Sequence, residues 1–119
     1  MGHDGLKLTA TDVAKLGDLY LHHVRSNTTQ LVPAAWVHEA TRPDMAFPDG
    51  GYGYQWWTLP VDGHKSFAAL GYGGQVLWVI PDLKLILVIL ADPNGPSSNP
   101  VPFDVLRQEL PDIVLPALP

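Results

Sequence analysis

The segment 68–75, with the sequence AALGYGGQ, has the residue types best suited to chemistry in this chain. Three glycines in four positions weaken a sheet, and they are tolerated where another backbone or a ligand must approach closely. Backbone N–H groups at such a strand end can be aimed at an oxyanion, the charged oxygen of an acyl-transfer intermediate. The same residues also fit a bulged turn between two strands. Spacing alone leaves both interpretations open.

The histidines and carboxylates show no spacing that predicts a metal site or a catalytic pair. His22 and His23 are adjacent on an expected helix, about 100° apart, so their rings do not converge on one ion. His38 is followed by a glutamate but lacks the second histidine of a zinc-protease helix. We therefore expect no metal and no organic cofactor. The remaining histidines and the loop carboxylates are expected to be solvated: His3, His64, Asp44, Asp49 and Asp62.

Composition limits the classes of function. The formal net charge of −5 argues against nucleic-acid binding, because few cations are available to neutralise phosphates. The chain has no cysteine, which excludes disulfides and thiolate catalysis. Its longest apolar run, residues 85–91, is far shorter than the roughly 20 residues that cross a bilayer. We therefore expect no nucleic-acid partner and no membrane span, and the length suits one small domain.

Two helices are predicted to precede the glycine-rich segment. The first covers residues 12–24, capped by Thr9 or Thr11, and Gly17 within it predicts close packing against another element. A polar loop over 26–30 is expected next, and Pro33 suits the first turn of a short second helix that ends near residue 40. Helical spacing assigns the buried face of the first helix to Val13, Leu16, Leu19, Tyr20 and Val24.

The pattern then changes to strands. A loop over 41–51 leads to predicted strands at 52–59, 65–70, 75–80 and 84–90, with a turn at Asp62-Gly63. The last two strands are apolar at both alternating positions and must be covered on both faces. A final helix over 103–110 is expected to cover one face and the first helices the other. The fold class is therefore α+β, with an antiparallel sheet of about four strands flanked by helices.

Four segments in order carry a resemblance to a known family: 5–17, 30–37, 52–57 and 70–83. They resemble the C-terminal portion of serine β-lactamase-like hydrolases, which include class C β-lactamases, DD-peptidases, esterases and 6-aminohexanoate-dimer hydrolases. The resemblance implies a penicillin-binding transpeptidase-like fold. In that family a serine in Ser-x-x-Lys attacks the substrate, with a Tyr-x-Asn element and a Lys-Thr-Gly strand beside it.

This chain departs from the family pattern at each catalytic element. None of its serines has a lysine three residues later, and none of its tyrosines has an asparagine two residues later. Residues 69–71, Ala-Leu-Gly, stand where Lys-Thr-Gly would be, which removes a basic side chain and favours ester or amide hydrolysis over β-lactam hydrolysis. What the resemblance still implies is backbone chemistry: the Tyr72 N–H as an oxyanion-hole donor. The implied substrate-binding residues are Leu70, Gly71, Tyr72, Gly73 and Trp56. Neighbouring strand residues face opposite sides, so at most one of Trp56 and Trp57 can line a pocket, and both also fit core positions.

Two hypotheses follow for the chain as a whole. In the first, residues 1–119 are one partial domain of an ester or amide hydrolase, with a helical segment (1–45), antiparallel strands (46–92) and a proline-rich tail with a helix (93–119). The nucleophile then lies outside these residues, in a missing N-terminal half. In the second, the chain is a non-catalytic module that dimerises or binds a ligand. The apolar strand 84–90 has no later strand to pair with its edge, so either the missing half or a second copy is expected beside it.

Overall fold

The chain folds around one antiparallel sheet with helices packed on its faces, as a computed structural model of residues 5–23, 25–48, 50–94 and 108–119 shows. Helix α1 (Ala10–Leu21) and a small hairpin of β1 (Arg25–Ser26) and β2 (Thr29–Gln30) precede helix α2 (Ala34–Ala40). The α+β class is confirmed, but the main sheet has six strands rather than about four. They run in chain order: β3 (Met45–Phe47), β4 (Gly50–Tyr52), β5 (Trp57–Thr58), β6 (Phe67–Gly71), β7 (Gln75–Ile80) and β8 (Leu85–Ile89).

Helix α1 begins at Ala10, two residues before its predicted start, and ends at Leu21, three residues before its predicted end. The Thr9 side chain accepts the N–H of Asp12 at 3.2 Å, so Thr9 and not Thr11 is the cap. Gly17 is the buried residue of the helix, and a Cβ there would lie 2.9 Å from Ile86 Cγ2 and Leu77 Cδ1. The assignment of Leu16 to the buried face was wrong, because its side chain is 39% exposed. Val24 lies outside the described residues.

Three loop and strand predictions were wrong because the strands concerned are too short to show periodicity. The expected loop 26–30 contains the β1–β2 hairpin, which Asn27 turns at φ 52°. The expected loop 41–51 contains β3, whose three residues stand between Pro43 and Pro48. The single strand expected at 52–59 is instead the end of β4, a bend and β5.

The strands from β6 onward follow the sequence prediction closely. The Asp62-Gly63 turn is present, with both residues at positive φ, and β7 has the predicted bounds. The two faces of β7 enter separate cores, one shared with Tyr20 of α1 and the other with Leu110. Helices therefore cover both faces, as expected from the apolar alternation.

Most of the helix predicted at 103–110 lies outside the described residues, but Gln108 and Glu109 are helical. The helical path continues past the predicted end as a π-helical turn, Leu110–Val114, and a 3-10 turn, Leu115–Ala117. Leu110 is buried at the start of this segment, so it anchors the turns to the sheet rather than ending the helix. Among the described residues no helix is long and apolar enough to cross a membrane.

Candidate functional site

The β6–β7 hairpin carries the glycine-rich segment. Gly71 and Gln75 form its last pair, and Tyr72, Gly73 and Gly74 make the tip. Gly73 and Gly74 have φ of 77° and 90°, a conformation that side chains disfavour. Tyr72 is 89% exposed between them and β6. The segment is therefore a turn that lifts one residue, Tyr72, out of the sheet.

One edge of β6 is open beside this tip. The N–H of Leu59 donates to the carbonyl of Ser66 at 3.0 Å, so Ser66 directs its peptide groups toward β5. Antiparallel strands alternate this direction residue by residue, so Leu70 also faces the β5 side. However, β5 pairs only with Phe67 and Ala68. No strand among the described residues lies beside the peptide groups of Leu70.

The bend before β5 creates this opening. The N–H of Gly53 donates to the carbonyl of Trp56 at 2.8 Å, and Gln55 takes a φ of 68°. The N–H of Tyr54 donates at 3.1 Å to the carbonyl of Ala40 at the end of α2. These bonds turn the chain away from β6 after two paired residues. The result is a free strand edge next to a hairpin tip, a geometry suited to binding an extended acyl group through backbone hydrogen bonds.

The predicted site side chains do not all converge on this edge. Trp56 is 6% exposed and packs on Tyr20 and Phe67, with ring centroids 4.6 Å and 5.0 Å away. Leu70 packs against the core on the opposite face of the sheet. Leu70, Gly71, Tyr72 and Gly73 are neighbours at the tip, whereas Trp56 belongs to the core under α1. A role of these residues in substrate binding stays a prediction.

Ser66 is bound within the core and is not poised for attack. It is 6% exposed, donates its hydroxyl to the carbonyl of Leu59 and accepts Trp78 Nε1 at 2.7 Å. The hydroxyl donates its proton to a carbonyl oxygen and not to a base, so these bonds do not activate it as a nucleophile. Ser97 and Ser98 lie outside the described residues, and Ser26 is on β1.

The titratable groups with shifted pKa values, Asp12 and Asp82, owe the shift mainly to a hydrogen bond with a neighbouring side chain. No group of three or more potential metal ligands occurs among the residues that the structure describes. The hydrogen bond from the Thr9 hydroxyl, followed by contact with Lys15, lowers the pKa of Asp12, which supports its role at the helix start. His64 Nδ1 lies 2.6 Å from Asp82 Oδ2, and this hydrogen bond lowers the pKa of Asp82. That pair joins two turns at the end of the sheet opposite Tyr72.

Two residues at the tip had no role in the sequence prediction. The Gln75 side chain bonds to the backbone of Ala91, and Pro93 lies against Gly73. The available signal was a glutamine directly after two glycines and before an apolar strand. It could not reveal the partner, because Ala91 lies 16 positions away.

Comparisons with known proteins agree with the fold. The family model described as Beta-lactamase matches residues 1–109. A 6-aminohexanoate-dimer hydrolase from Paenarthrobacter ureafaciens is 27% identical over 106 residues, covering 80% of this chain and 27% of that protein. A solved structure from Bacillus anthracis, assigned as a 6-aminohexanoate-dimer hydrolase, matches with a TM-score of 0.70 at 25% identity. That match covers 88% of this chain and 27% of the other. The chain thus spans about a quarter of the length of these relatives.

Proposed function

Because the chain belongs to the Beta-lactamase family, we propose that it forms one wall of the active site of a serine hydrolase that cleaves ester or amide bonds. The attacking serine, in a Ser-x-x-Lys arrangement, comes from outside these 119 residues. The observation that supports this most is the open edge of β6 beside the exposed turn at Tyr72. The N–H groups of such an edge can donate hydrogen bonds to the carbonyl group of a bound substrate.

In the proposed reaction, the serine oxygen attacks the acyl carbon after its proton passes to the lysine. The carbonyl oxygen becomes an oxyanion, and the Tyr72 N–H donates a hydrogen bond to it, the second donor being the serine's own N–H. The bond to the alcohol or amine breaks, and the leaving group takes up the proton. Water then hydrolyses the acyl-enzyme and restores the serine.

The substrate class follows from what the site lacks. Ala69, Leu70 and Gly71 offer no cation for a substrate carboxylate. The similar proteins from Paenarthrobacter and Bacillus are described as hydrolases of a dimer of 6-aminohexanoate. We propose that a short uncharged ester or amide is the substrate here. The amide-linked dimer, which keeps a free carboxylate, is the charged compound to compare with it, and we expect it to be hydrolysed more slowly.

The test compares two variants of Tyr72 in the chain expressed together with the region encoded upstream of it. Tyr72→Pro removes the backbone N–H, whereas Tyr72→Ala removes the side chain and keeps the N–H. With a chromogenic short-chain ester, Tyr72→Pro should lower kcat about 100-fold or more, as loss of one oxyanion donor does. Tyr72→Ala should stay within a few-fold of the parent. Equal rates for the two variants would contradict the proposal, provided that circular dichroism shows both folded.

A second candidate function rests on β8. This strand is one of the two outer strands of the described sheet, and its side chains are apolar and half-buried. The chain would then be a non-catalytic module in which a second copy pairs with β8, because a free apolar edge favours strand addition.

Sedimentation of the isolated chain tests this candidate. Ser66 directs its peptide groups toward β5, and the direction alternates residue by residue along each strand. Following this alternation through the β6–β7 and β7–β8 registers, Val88 directs its peptide groups away from β7. Val88→Pro removes one outward N–H and should abolish a β8-paired dimer, while Val88→Ala should leave the dimer intact. A parent chain that is a stable monomer would exclude this function.

A further inference from the structure

The backbone pairing of β7 with β8 is continued by a side chain at the site end of the sheet. The last backbone pair in the register is Val76 with Ile89. Beyond it, Gln75 Nε2 donates to the carbonyl of Ala91 at 2.5 Å, and Gln75 Oε1 accepts the N–H of Ala91 at 3.2 Å. The carboxamide thus presents one donor and one acceptor to a single residue, as the N–H and C=O of one residue do to the residue opposite it in an antiparallel ladder.

Two glycines make room for this arrangement. A Cβ at Gly71 would lie 2.9 Å from Gln75 Cβ and 3.3 Å from its Cγ, so the glycine leaves space for the glutamine stem. A Cβ at Gly73 would collide with the ring of Pro93. The chain that leaves β8 therefore contacts the hairpin at two points, through the hydrogen bonds of Ala91 and the packing of Pro93. Tyr72 lies between the two glycines.

We infer that Gln75, with Pro93, is a positioning residue that fixes the hairpin tip and so the direction of the Tyr72 N–H. This inference rests on the function proposed for Tyr72. The Gln75 bonds go to the β8 side of the hairpin, whereas the open edge of β6 lies on the β5 side. Gln75 therefore acts through the backbone of the tip rather than by touching substrate.

The physical reason for such a clamp is the backbone freedom of the tip. Two glycines in succession at positive φ leave the turn with many accessible conformations. A donor at an oxyanion hole must hold its direction before the charge develops, because reorganisation during the reaction costs rate. The Gln75–Ala91 hydrogen bonds hold the start of β7, and Pro93 packs against Gly73. Together these contacts reduce the freedom of the tip while position 73 remains a glycine.

NMR on the ¹⁵N-labelled chain tests the clamp without any assay of hydrolysis, through amide hydrogen exchange at Ala91 and the backbone order parameters of Tyr72 and Gly73. Gln75→Met keeps the length of the side chain but removes both hydrogen bonds. Gln75→Glu keeps an acceptor but sets a carboxylate oxygen against the carbonyl of Ala91. Both variants should exchange about three- to tenfold faster at Ala91, as expected for the loss of one or two exposed hydrogen bonds. At Tyr72 and Gly73 the order parameters should fall from about 0.85, typical of a rigid backbone, toward about 0.6. Gln108→Met, the same change at an exposed glutamine elsewhere, should leave all of these values unchanged.

The central amides of β7, at Trp78 and Val79, separate a local clamp from a general loss of stability. They should exchange at the parent rate in both Gln75 variants. Unchanged order parameters at Tyr72 and Gly73 would overturn the inference, and so would an acceleration of exchange at Trp78 and Val79 equal to that at Ala91. If the clamp passes this test and Tyr72→Pro leaves hydrolysis unaffected, the clamp stands and the oxyanion role of Tyr72 fails.

Discussion

At the scale of single residues, two hydrogen bonds of the Ser66 hydroxyl provide partners for buried polar atoms in the core of the sheet. The Trp78 side chain is fully buried in the centre of the sheet, and its indole N–H donates to the Ser66 hydroxyl. Ser66 in turn donates to the carbonyl of Leu59. A polar atom inside a core costs free energy unless it is paired, so this serine serves the fold.

Replacing Ser66 by alanine should therefore destabilise the chain. The change removes a hydrogen-bond acceptor from Trp78 and a donor from Leu59 within the core, and we expect a loss of about 1–3 kcal/mol in the free energy of unfolding. Urea denaturation measures it. The double variant Ser66→Ala/Trp78→Phe should cost less than the sum of the single changes, because they share one bond. A loss below about 0.5 kcal/mol in Ser66→Ala would contradict this reading of the core.

The His64–Asp82 contact predicts how stability depends on acid. Its hydrogen bond lowers the pKa of Asp82 below 3.8 in the folded chain. A lowered carboxyl pKa stabilises the fold above the unfolded value, and this stabilisation is lost as the pH falls through the folded value. Asp82→Asn should therefore flatten the decline in thermal midpoint below about pH 4. Asp62→Asn, in the neighbouring turn, is the control, and parallel declines in Asp82→Asn and the parent would contradict the assignment.

At the scale of elements, helix α1 depends on the absence of a side chain at Gly17. Val13, Tyr20 and Leu21 pack on the sheet on either side of it, while the backbone at Gly17 lies against Leu77 and Ile86. This close approach seats the helix over β7 and β8. The sequence predicted such packing from a glycine in mid-helix.

Gly17→Ala tests this contact. Alanine favours a helix by about 1 kcal/mol, but its Cβ would lie 2.9 Å from two core methyl groups. Overpacking of this kind costs about 1–3 kcal/mol, so the net change in unfolding free energy should be destabilising. Asp18→Ala, at the next and exposed position, is the control and should be neutral or stabilising. A more stable Gly17→Ala variant would show that α1 moves away from the sheet without cost.

How much of each element could be predicted depended on its length. Residues 75–80 bury side chains on both faces, so their pattern predicted β7 without error. Strands of two or three residues, such as β3 and β5, show no period and depend on hydrogen bonds to neighbours instead. The bend at Gly53–Trp56 was missed for this reason, since its bond to Ala40 is made between distant parts of the chain.

The site was predictable only in part, for a related reason. The spacing of the glycines singled out residues 71–74, and the resemblance to a known family implied the role of Tyr72. The structure places these residues at an exposed tip. The partners that hold the tip, Ala91 and Pro93, are alanine and proline residues with no chemical signature of their own. Their role depends on tertiary contact, which spacing along the chain does not encode.

At the scale of the whole molecule, the sheet has two outer strands among the described residues, β3 and β8, and one open internal edge at Leu70. The chain spans about a quarter of the length of the relatives it matches. The proposed site wall, with an oxyanion donor at Tyr72 and with Ser66 bound within the core, fits a chain that works with further protein. Our central proposal is that the reactive serine belongs to that further protein.

Mass spectrometry after reaction with a fluorophosphonate, a serine-reactive probe, tests this claim most directly. The chain is treated alone and together with the region encoded upstream of it, and the modified peptide is identified. We predict no adduct on the chain alone. In the joined protein we predict one adduct, on an upstream serine with a lysine three residues later. A covalent adduct on Ser26, Ser66, Ser97 or Ser98 would contradict the account.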